Sequence, residues 1–278
     1  MQIITSSTEM LDFADKQRSK SIQIGFIPTM GALHAGHISL IEASKSQNNL
    51  SVCSIFVNPT QFNEASDFNK YPRQVETDIK KLKEAGCDVV FVPEVKDIYP
   101  KPDNTLYKLG SIAEKIEGAH RPGHFNGVAS VVKRLLELVK PHNAYFGLKD
   151  YQQYLVIKKL VEQYRLDVNI IGCPIKREES GLAMSSRNQL LTVKGEEIAS
   201  NLYKSLCLVK KAVLEYPAHE LEKIGFAYLE SKEGIKPEYF VVVDKNTLEP
   251  PEDNQNRDLI ALVAGHVDGV RLIDNMFL

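Results

Sequence analysis

From Ser21 to about Gly172 the chain alternates between two hydrophobic periods, and that alternation narrows the folds open to it more than any other feature. Short apolar runs with strand character occupy Ile22–Ile27, Leu50–Val57, Asp88–Val92, Ala144–Gly147 and Asp167–Ile171. Helix-like stretches lie between several of them, at His37–Ser46, Gln74–Ala85, Asn126–Val139 and Tyr151–Gln163. In the third, Val128, Val131, Val132, Leu135, Leu136 and Val139 follow spacings of three and four, which puts them on one helical face. Near-continuous apolar strands separated by amphipathic helices need cover on both faces. They predict an α/β domain with a doubly wound, Rossmann-like parallel sheet. Such sheets bind ligands beyond the carboxyl ends of their strands.

After Cys173-Pro174 the pattern changes. Thr192 is placed to cap one long helix with Ile198, Leu202, Leu206, Val209 and Val213 on its apolar face, and a second helix is expected over Ala218–Glu230. Strand-like runs follow at Tyr239–Val243, Leu259–Val263 and Val270–Ile273, with the polar loop Glu249–Arg257 between the first two. This second segment reads as a smaller α+β domain of about 100 residues, enough to bury a modest core. The expected division is 1–175 and 176–278, a two-domain reading that suits 278 residues. Lys and Arg number 34 against 36 Asp and Glu, a formal charge of −2, which argues against nucleic acid or anionic lipid as a partner. No apolar run approaches the roughly 18 residues of a membrane span. The first residues show no basic segment followed by an apolar one, so the chain is read as cytoplasmic. Cys53, Cys87, Cys173 and Cys207 form no CxxC pair and read as small apolar residues rather than a zinc site or disulfide framework.

The segment richest in chemistry is Ile27-Pro28-Thr29-Met30-Gly31-Ala32-Leu33-His34-Ala35-Gly36-His37, which follows a predicted strand and opens a predicted helix. Helix-start N–H groups and the helix dipole favour an anion there, and two imidazoles three residues apart can both donate to phosphate oxygens. Isolated, an H-x-x-H is more often a surface pair or two metal ligands; the strand–turn–helix context shifts the balance toward phosphate. A second segment, Gly181-Leu182-Ala183-Met184-Ser185-Ser186-Arg187-Asn188, offers two hydroxyls and a guanidinium at the expected domain junction. Alone it could be a capping turn. Three further segments fall at strand ends or helix starts: Val57-Asn58-Pro59-Thr60-Gln61-Phe62, Arg121-Pro122-Gly123-His124-Phe125-Asn126-Gly127-Val128 and Phe146-Gly147-Leu148-Lys149-Asp150-Tyr151-Gln152-Gln153.

His34-Ala35-Gly36-His37 resembles the H-x-G-H signature of adenylyl-transferring α/β enzymes, and the five segments in this order resemble the pantothenate synthetase family from about Ile24 through Leu191. The resemblance implies ATP-dependent condensation of (R)-pantoate with β-alanine to pantothenate, AMP and pyrophosphate through a pantoyl adenylate. It implies ATP as co-substrate, Mg²⁺ mainly on the ATP phosphates, and a homodimer. It places Met30, Gly31, Ala32, Leu33, His34, Ala35, Gly36, His37, Gly147, Leu148, Lys149, Asp150, Lys176, Met184, Ser185, Ser186 and Arg187 against ATP. His37, His34, Lys149, Ser185, Ser186 and Arg187 would be catalytic, Gln61 would bind pantoate and β-alanine, and Gln153 would bind pantoate. No protein metal ligand is assigned; Asp78 is weighed for Mg²⁺ but read as a helix-surface aspartate. One departure stands at Lys176, where the family has an apolar residue; a lysine whose ammonium reaches water is compatible with main-chain contact to adenine.

Two rival readings remain on the sequence. A small nucleotidylyltransferase would share the histidine motif but call for further cations around a phosphorylated acceptor. An RNA-binding relative of a synthetase without catalysis would want a basic face, which the near-neutral charge does not suggest. Tyr71-Pro72-Arg73 and Glu117 are left between packing and substrate roles, and His120, His124 and His142 are read as structural.

Overall fold

Phe26 and Ile27 are neighbours on the strand Ile24–Thr29, yet they belong to two different apolar clusters. Alternate residues of a strand point to opposite faces, so a strand buried throughout needs a layer on each side. The computed structural model describes residues 1–62, 68–69, 71–101, 103–251 and 258–278 and shows both layers. One face carries the helices Ser7–Ser19, His124–Val139 and most of Tyr151–Tyr164, packed through Met10, Ala14, Val128, Val132, Leu135, Val156 and Leu160. The other carries Ala35–Gln47 and Val75–Glu84, packed through Leu40, Ile41 and Leu82 onto Ile27, Cys53, Ile55 and Val90.

The strands are β1 (Gln2–Ile4), β2 (Ile24–Thr29), β3 (Leu50–Ile55), β4 (Val89–Phe91), β5 (Asn143–Gly147) and β6 (Asn169–Cys173), in the parallel order β1-β4-β3-β2-β5-β6. From β2 the chain winds outward to β3 and β4, then returns to β2's other side for β5 and β6. The winding direction reverses between β2 and β5, the position where doubly wound sheets open a crevice at their carboxyl ends. The α/β, doubly wound architecture expected from the periodicity is therefore present. Boundaries differ by two residues or so, and β1 with the helix Ser7–Ser19 was not anticipated. A three-residue strand carries no readable period, although Ser6 before Glu9 marked the helix start: Ser6 Oγ accepts the Glu9 N–H.

The chain divides into two compact units, Met1–Leu148 with Gln152–Pro174, and Lys149–Tyr151 with Ile175–Leu278. The smaller unit holds β7 (Ile235–Asp244), β8 (Leu259–Val267) and β9 (Val270–Phe277), an antiparallel sheet in sequence order. Residues 252–257 of the polar loop before β8 lie outside the described residues. Asp268 and Gly269, both left-handed, form the two-residue turn between β8 and β9, a hairpin signal the sequence carried in plain view. Leu202, Leu206, Val209, Leu221 and Leu229 cover the sheet through Phe240, Val242, Ala261 and Val263.

The single long helix expected after Thr192 is two helices, Val193–Ala199 and Asn201–Ala212. Thr192 does cap the first, accepting the Gly195 N–H at 2.9 Å. Ser200 Oγ and Asn201 Nδ2 then donate to the carbonyls of Glu197 and Ile198, three residues back, and these side-chain bonds tighten the turn. The apolar period survives the break because Leu202 and Leu206 still face the same core. Cys53, Cys87 and Cys173 are buried, and burial pushes the Cys53 and Cys87 thiols up, the latter to about 11.

Candidate active site

At the carboxyl end of β2 the backbone turns through two consecutive left-handed residues, Gly31 (φ +83°) and Ala32 (φ +50°). Glycine adopts this conformation readily and alanine does not, so something must hold Ala32 there. Asp78 does: its carboxylate oxygens accept the N–H groups of Ala32 (2.8 Å) and Leu33 (2.7 Å). Lys81, one turn further along the same helix, donates to the Leu33 carbonyl at 2.5 Å. Asp78 is fully buried, which corrects its reading as a helix-surface residue. The misreading has a simple cause: Asp78 lies in the first turn of an amphipathic helix, and only the packing of that helix against the β2 turn reveals what it faces.

The turn delivers His34 to the N-cap of the helix Ala35–Gln47. His34 Nδ1 accepts the Gly36 N–H at 3.2 Å, and His37 Nδ1 accepts the His34 N–H at 3.3 Å. A capping box is thus built from two imidazoles, whose ring centroids are 4.1 Å apart. An Nδ1 that accepts from a backbone N–H carries no proton, so each neutral ring is the Nε2–H tautomer. Both rings, half-buried, consequently present a donor at Nε2 beside helix-start N–H groups.

Gln61 closes the short turn Pro59–Gln61 after β3. Its Nε2 lies 3.0 Å from Met30 Sδ, so the structure joins Gln61 to the β2 turn. Asn58 fixes its orientation. Asn58 Nδ2 donates to the Gly127 carbonyl (3.1 Å) and to Gln61 Oε1 (3.2 Å), while its Oδ1 accepts from Thr60 N–H, Thr60 Oγ1 and Tyr99 Oη. With Oε1 bound to Asn58 and Nε2 against Met30 Sδ, Gln61 keeps the second N–H of its amide as a further donor. His124 Nδ1–H donates to the Gln61 carbonyl at 2.8 Å, and Arg121 donates to His124 Nε2 at 3.2 Å. Asn58 and Arg121 have no role in the sequence reading, and His124 is read there as structural; Asn58 and His124 are buried and support Gln61. Gln152, not Gln153, is the buried glutamine of its segment: it holds the Glu117 N–H and the carbonyls of Ile112 and Lys115. Gln153 is half-buried on the helix Tyr151–Tyr164, and Gly147 ends β5 just before Leu148.

The remaining candidates belong to the smaller unit. Lys149 Nζ is 3.9 Å from Asp150 Oδ2, and the Lys149 carbonyl accepts from Asn275 Nδ2 at 2.8 Å. Residues 176–178 run antiparallel to 182–184, bridged at Arg177 and Ala183. The Lys176 carbonyl takes the Met184 N–H, and the Lys176 side chain is exposed. Ser185 Oγ caps the turn Ser186–Leu190 by accepting the Arg187 N–H at 3.3 Å, the capping turn that the sequence allows. Ser186 is buried, and Asn188 Nδ2 ties the segment to the Ala183 carbonyl. Among the described residues no group of three or more His, Cys, Asp or Glu side chains gathers as a metal site.

The sequence profile of the pantoate-beta-alanine ligase family matches residues 2–277. A pantothenate synthetase of Cytophaga hutchinsonii is 46% identical over 276 residues, 98% of each chain. One from Thermotoga petrophila is 42% identical over the full length of both. Among solved structures, the pantothenate synthetase of Thermus thermophilus has TM-score 0.91 at 38% identity, covering all of this chain and 99% of that one. The pantoate-beta-alanine ligase of Francisella tularensis, complexed with beta-gamma ATP and beta-alanine, has TM-score 0.79 at 38% identity, covering all of this chain and 97% of that one. With a profile match across nearly its whole length and full-length relatives above 40% identity, the chain belongs to the pantoate–β-alanine ligase family.

Proposed function

We propose that this enzyme condenses (R)-pantoate with β-alanine at the cost of ATP, through a pantoyl adenylate. The observation that carries the proposal is the double-imidazole capping box at the switch point of the sheet, with Gln61 held as a donor beside Met30. A carboxylate is a poor electrophile, and adenylation converts one of its oxygens into part of a good leaving group. The pantoate carboxylate attacks the α-phosphorus in line and expels pyrophosphate. Both partners are anions, so the barrier falls when fixed donors meet the charge developing on the phosphate oxygens. His34 and His37 supply Nε2–H donors for that charge. Lys149, Ser185, Ser186 and Arg187 supply the cations and hydroxyls, and Gly147, Leu148, Asp150, Lys176 and Met184 complete the ATP contacts. Gln61 and Gln153 hold pantoate, whose oxygens are acceptors matched to an amide N–H₂. Fixing two anions in register provides much of the remaining rate gain. The free amine of β-alanine, held by Gln61, then attacks the acyl carbon and AMP departs.

Mg²⁺ enters with ATP. Both oxygens of Asp78 already accept backbone N–H groups, so this carboxylate does not fit a metal shell. The enzyme is taken to be a homodimer; Val95 and Leu106, large exposed apolar residues within 88–145, support an interface there, and sedimentation velocity checks it. A cytoplasmic location follows from the ATP requirement; no helix of the described residues is long and apolar enough to cross a membrane.

Pyrophosphate exchange tests the adenylate directly. With ATP, Mg²⁺ and pantoate but no β-alanine, the enzyme is expected to move labelled pyrophosphate into ATP. Full turnover without such exchange would remove the intermediate. His37→Ala is expected to lower kcat about 10²-fold or more; an unchanged kcat returns His37 to a purely helix-capping role. A nucleotidylyltransferase would instead transfer AMP to a phosphorylated acceptor, which a substrate screen distinguishes.

A further inference from the structure

Lys149 stands two residues after β5 of the larger unit, yet the tripeptide Lys149–Tyr151 is compacted with the smaller one. The contacts responsible are specific. Asn275, on β9 and 2% exposed, donates from Nδ2 to the Lys149 carbonyl at 2.8 Å. Tyr151 Oη donates to the Lys245 carbonyl at 3.0 Å, and its ring meets Phe277 edge-on at 5.3 Å.

The residue before Asn275 on the same strand anchors the other phosphate-directed segment. Asp274 is 3% exposed and receives both ends of the Arg177 guanidinium, at 2.6 and 3.0 Å. Arg177 also donates to the carbonyls of Gly181 (3.0 Å) and Asn275 (3.2 Å), and its guanidinium lies 4.3 Å from the centroid of the Tyr203 ring. A guanidinium engaged on this many fixed partners is a structural cross-link. What it links to β9 is the turn at Gly181, three residues before Met184.

We infer that the dipeptide Asp274-Asn275 is a positioning element that fastens Lys149 and the Met184–Arg187 segment to one strand, so that they meet the ATP phosphates as a single rigid set, with Asn275 acting through Lys149. The inference rests on the assignment of Lys149 and Arg187 to ATP made above. Its physical basis is that a lysine on a flexible four-carbon stem is positioned only as well as its backbone. Asn275 fixes that backbone to the body that carries Ser185, Ser186 and Arg187.

A double-mutant cycle on ATP affinity, measured by titration calorimetry with pantoate absent, tests the coupling. Asn275→Ala is expected to weaken ATP about tenfold in the native background. In a Lys149→Ala background it is expected to cost less than about twofold, because the residue through which it acts is gone. In turnover assays KM for ATP should rise while KM for pantoate and for β-alanine stays put. Wild-type affinity in Asn275→Ala, or equal losses in both backgrounds, overturns the inference. Should Asn275→Ala fail to fold, Tyr151→Phe removes the other tether of the same tripeptide and is expected to show the same non-additivity at smaller size; additivity there overturns the inference too. The binding cycle is read without turnover, so an enzyme that binds ATP but makes no pantothenate refutes the functional proposal alone. A wild-type chain that binds no ATP refutes both.

Discussion

Asp78 shows how one buried carboxylate can set the geometry of a site through its backbone alone. Holding Ala32 at positive φ costs on the order of 1–3 kcal/mol, and two charge-assisted hydrogen bonds of 2.7 and 2.8 Å offset it. Asp78→Asn keeps the size but turns an N–H₂ toward one of the two backbone donors. It is expected to destabilise the protein by about 2–4 kcal/mol in denaturant titration and to lower kcat with it, since the histidine cap begins where this turn ends. Asp103 offers a pH test at the same scale. Desolvation pushes its carboxyl up, but hydrogen bonds from Ser130, Thr105 and Tyr107 outweigh it and hold the group at about 2. A carboxyl with a pKa lower in the folded than in the unfolded chain adds stability above its unfolded value, about 3.9, and that stability is lost as pH falls toward about 2. Ser130→Ala is therefore expected to lower Tm at about pH 6 and to leave it nearly unchanged at about pH 2, read by calorimetry.

Between elements, a close approach supports the site at Gly127, in the first turn of the helix His124–Val139. A Cβ built there would stand 2.3 Å from the Thr60 carbonyl oxygen and 2.8 Å from Gln61 Cα, so only glycine lets the helix meet this turn. Gly127→Ala is expected to push the helix and the turn apart, costing about 1–3 kcal/mol and raising KM for pantoate more than KM for ATP. Equal changes in both KM values would mean that Gln61 does not read pantoate. The helix itself was legible from Val128 through Val139 because its period is regular; the need for glycine was not, since Thr60 is 67 residues away in sequence. The break at Ser200 makes the complementary point. Side-chain hydrogen bonds to carbonyls three residues back changed the backbone without disturbing the apolar period on which the helix was read.

At the scale of the whole molecule, the two units hold separate apolar clusters: those built on both faces of the parallel sheet, and the one centred on Leu202, Leu206, Phe240 and Val263. Units with cores of their own need not melt together, and ligand-free protein is expected to show more than one calorimetric transition. A single transition with equal calorimetric and van't Hoff enthalpies would show that they unfold as one. The placement of Lys149–Tyr151 in the smaller unit bears on this too, because the chain crosses between units there as well as near Pro174.

The sequence by itself determined the layered α/β plan, the second α+β segment and the ordered motifs that mark the family, because each is written in local signals: a hydrophobic period, a turn residue, a spacing. The strand order, the burial of Asp78 beneath the β2 turn, the orientation of the Gln61 amide and the tethering of Lys149 to β9 were decided only in the tertiary structure. Asp78 bonds residues 45 and 46 positions away, and Asn275 one 126 positions away. No local pattern encodes such pairings; they exist because a buried polar group left without a partner is costly, and the fold determines which partner is within reach.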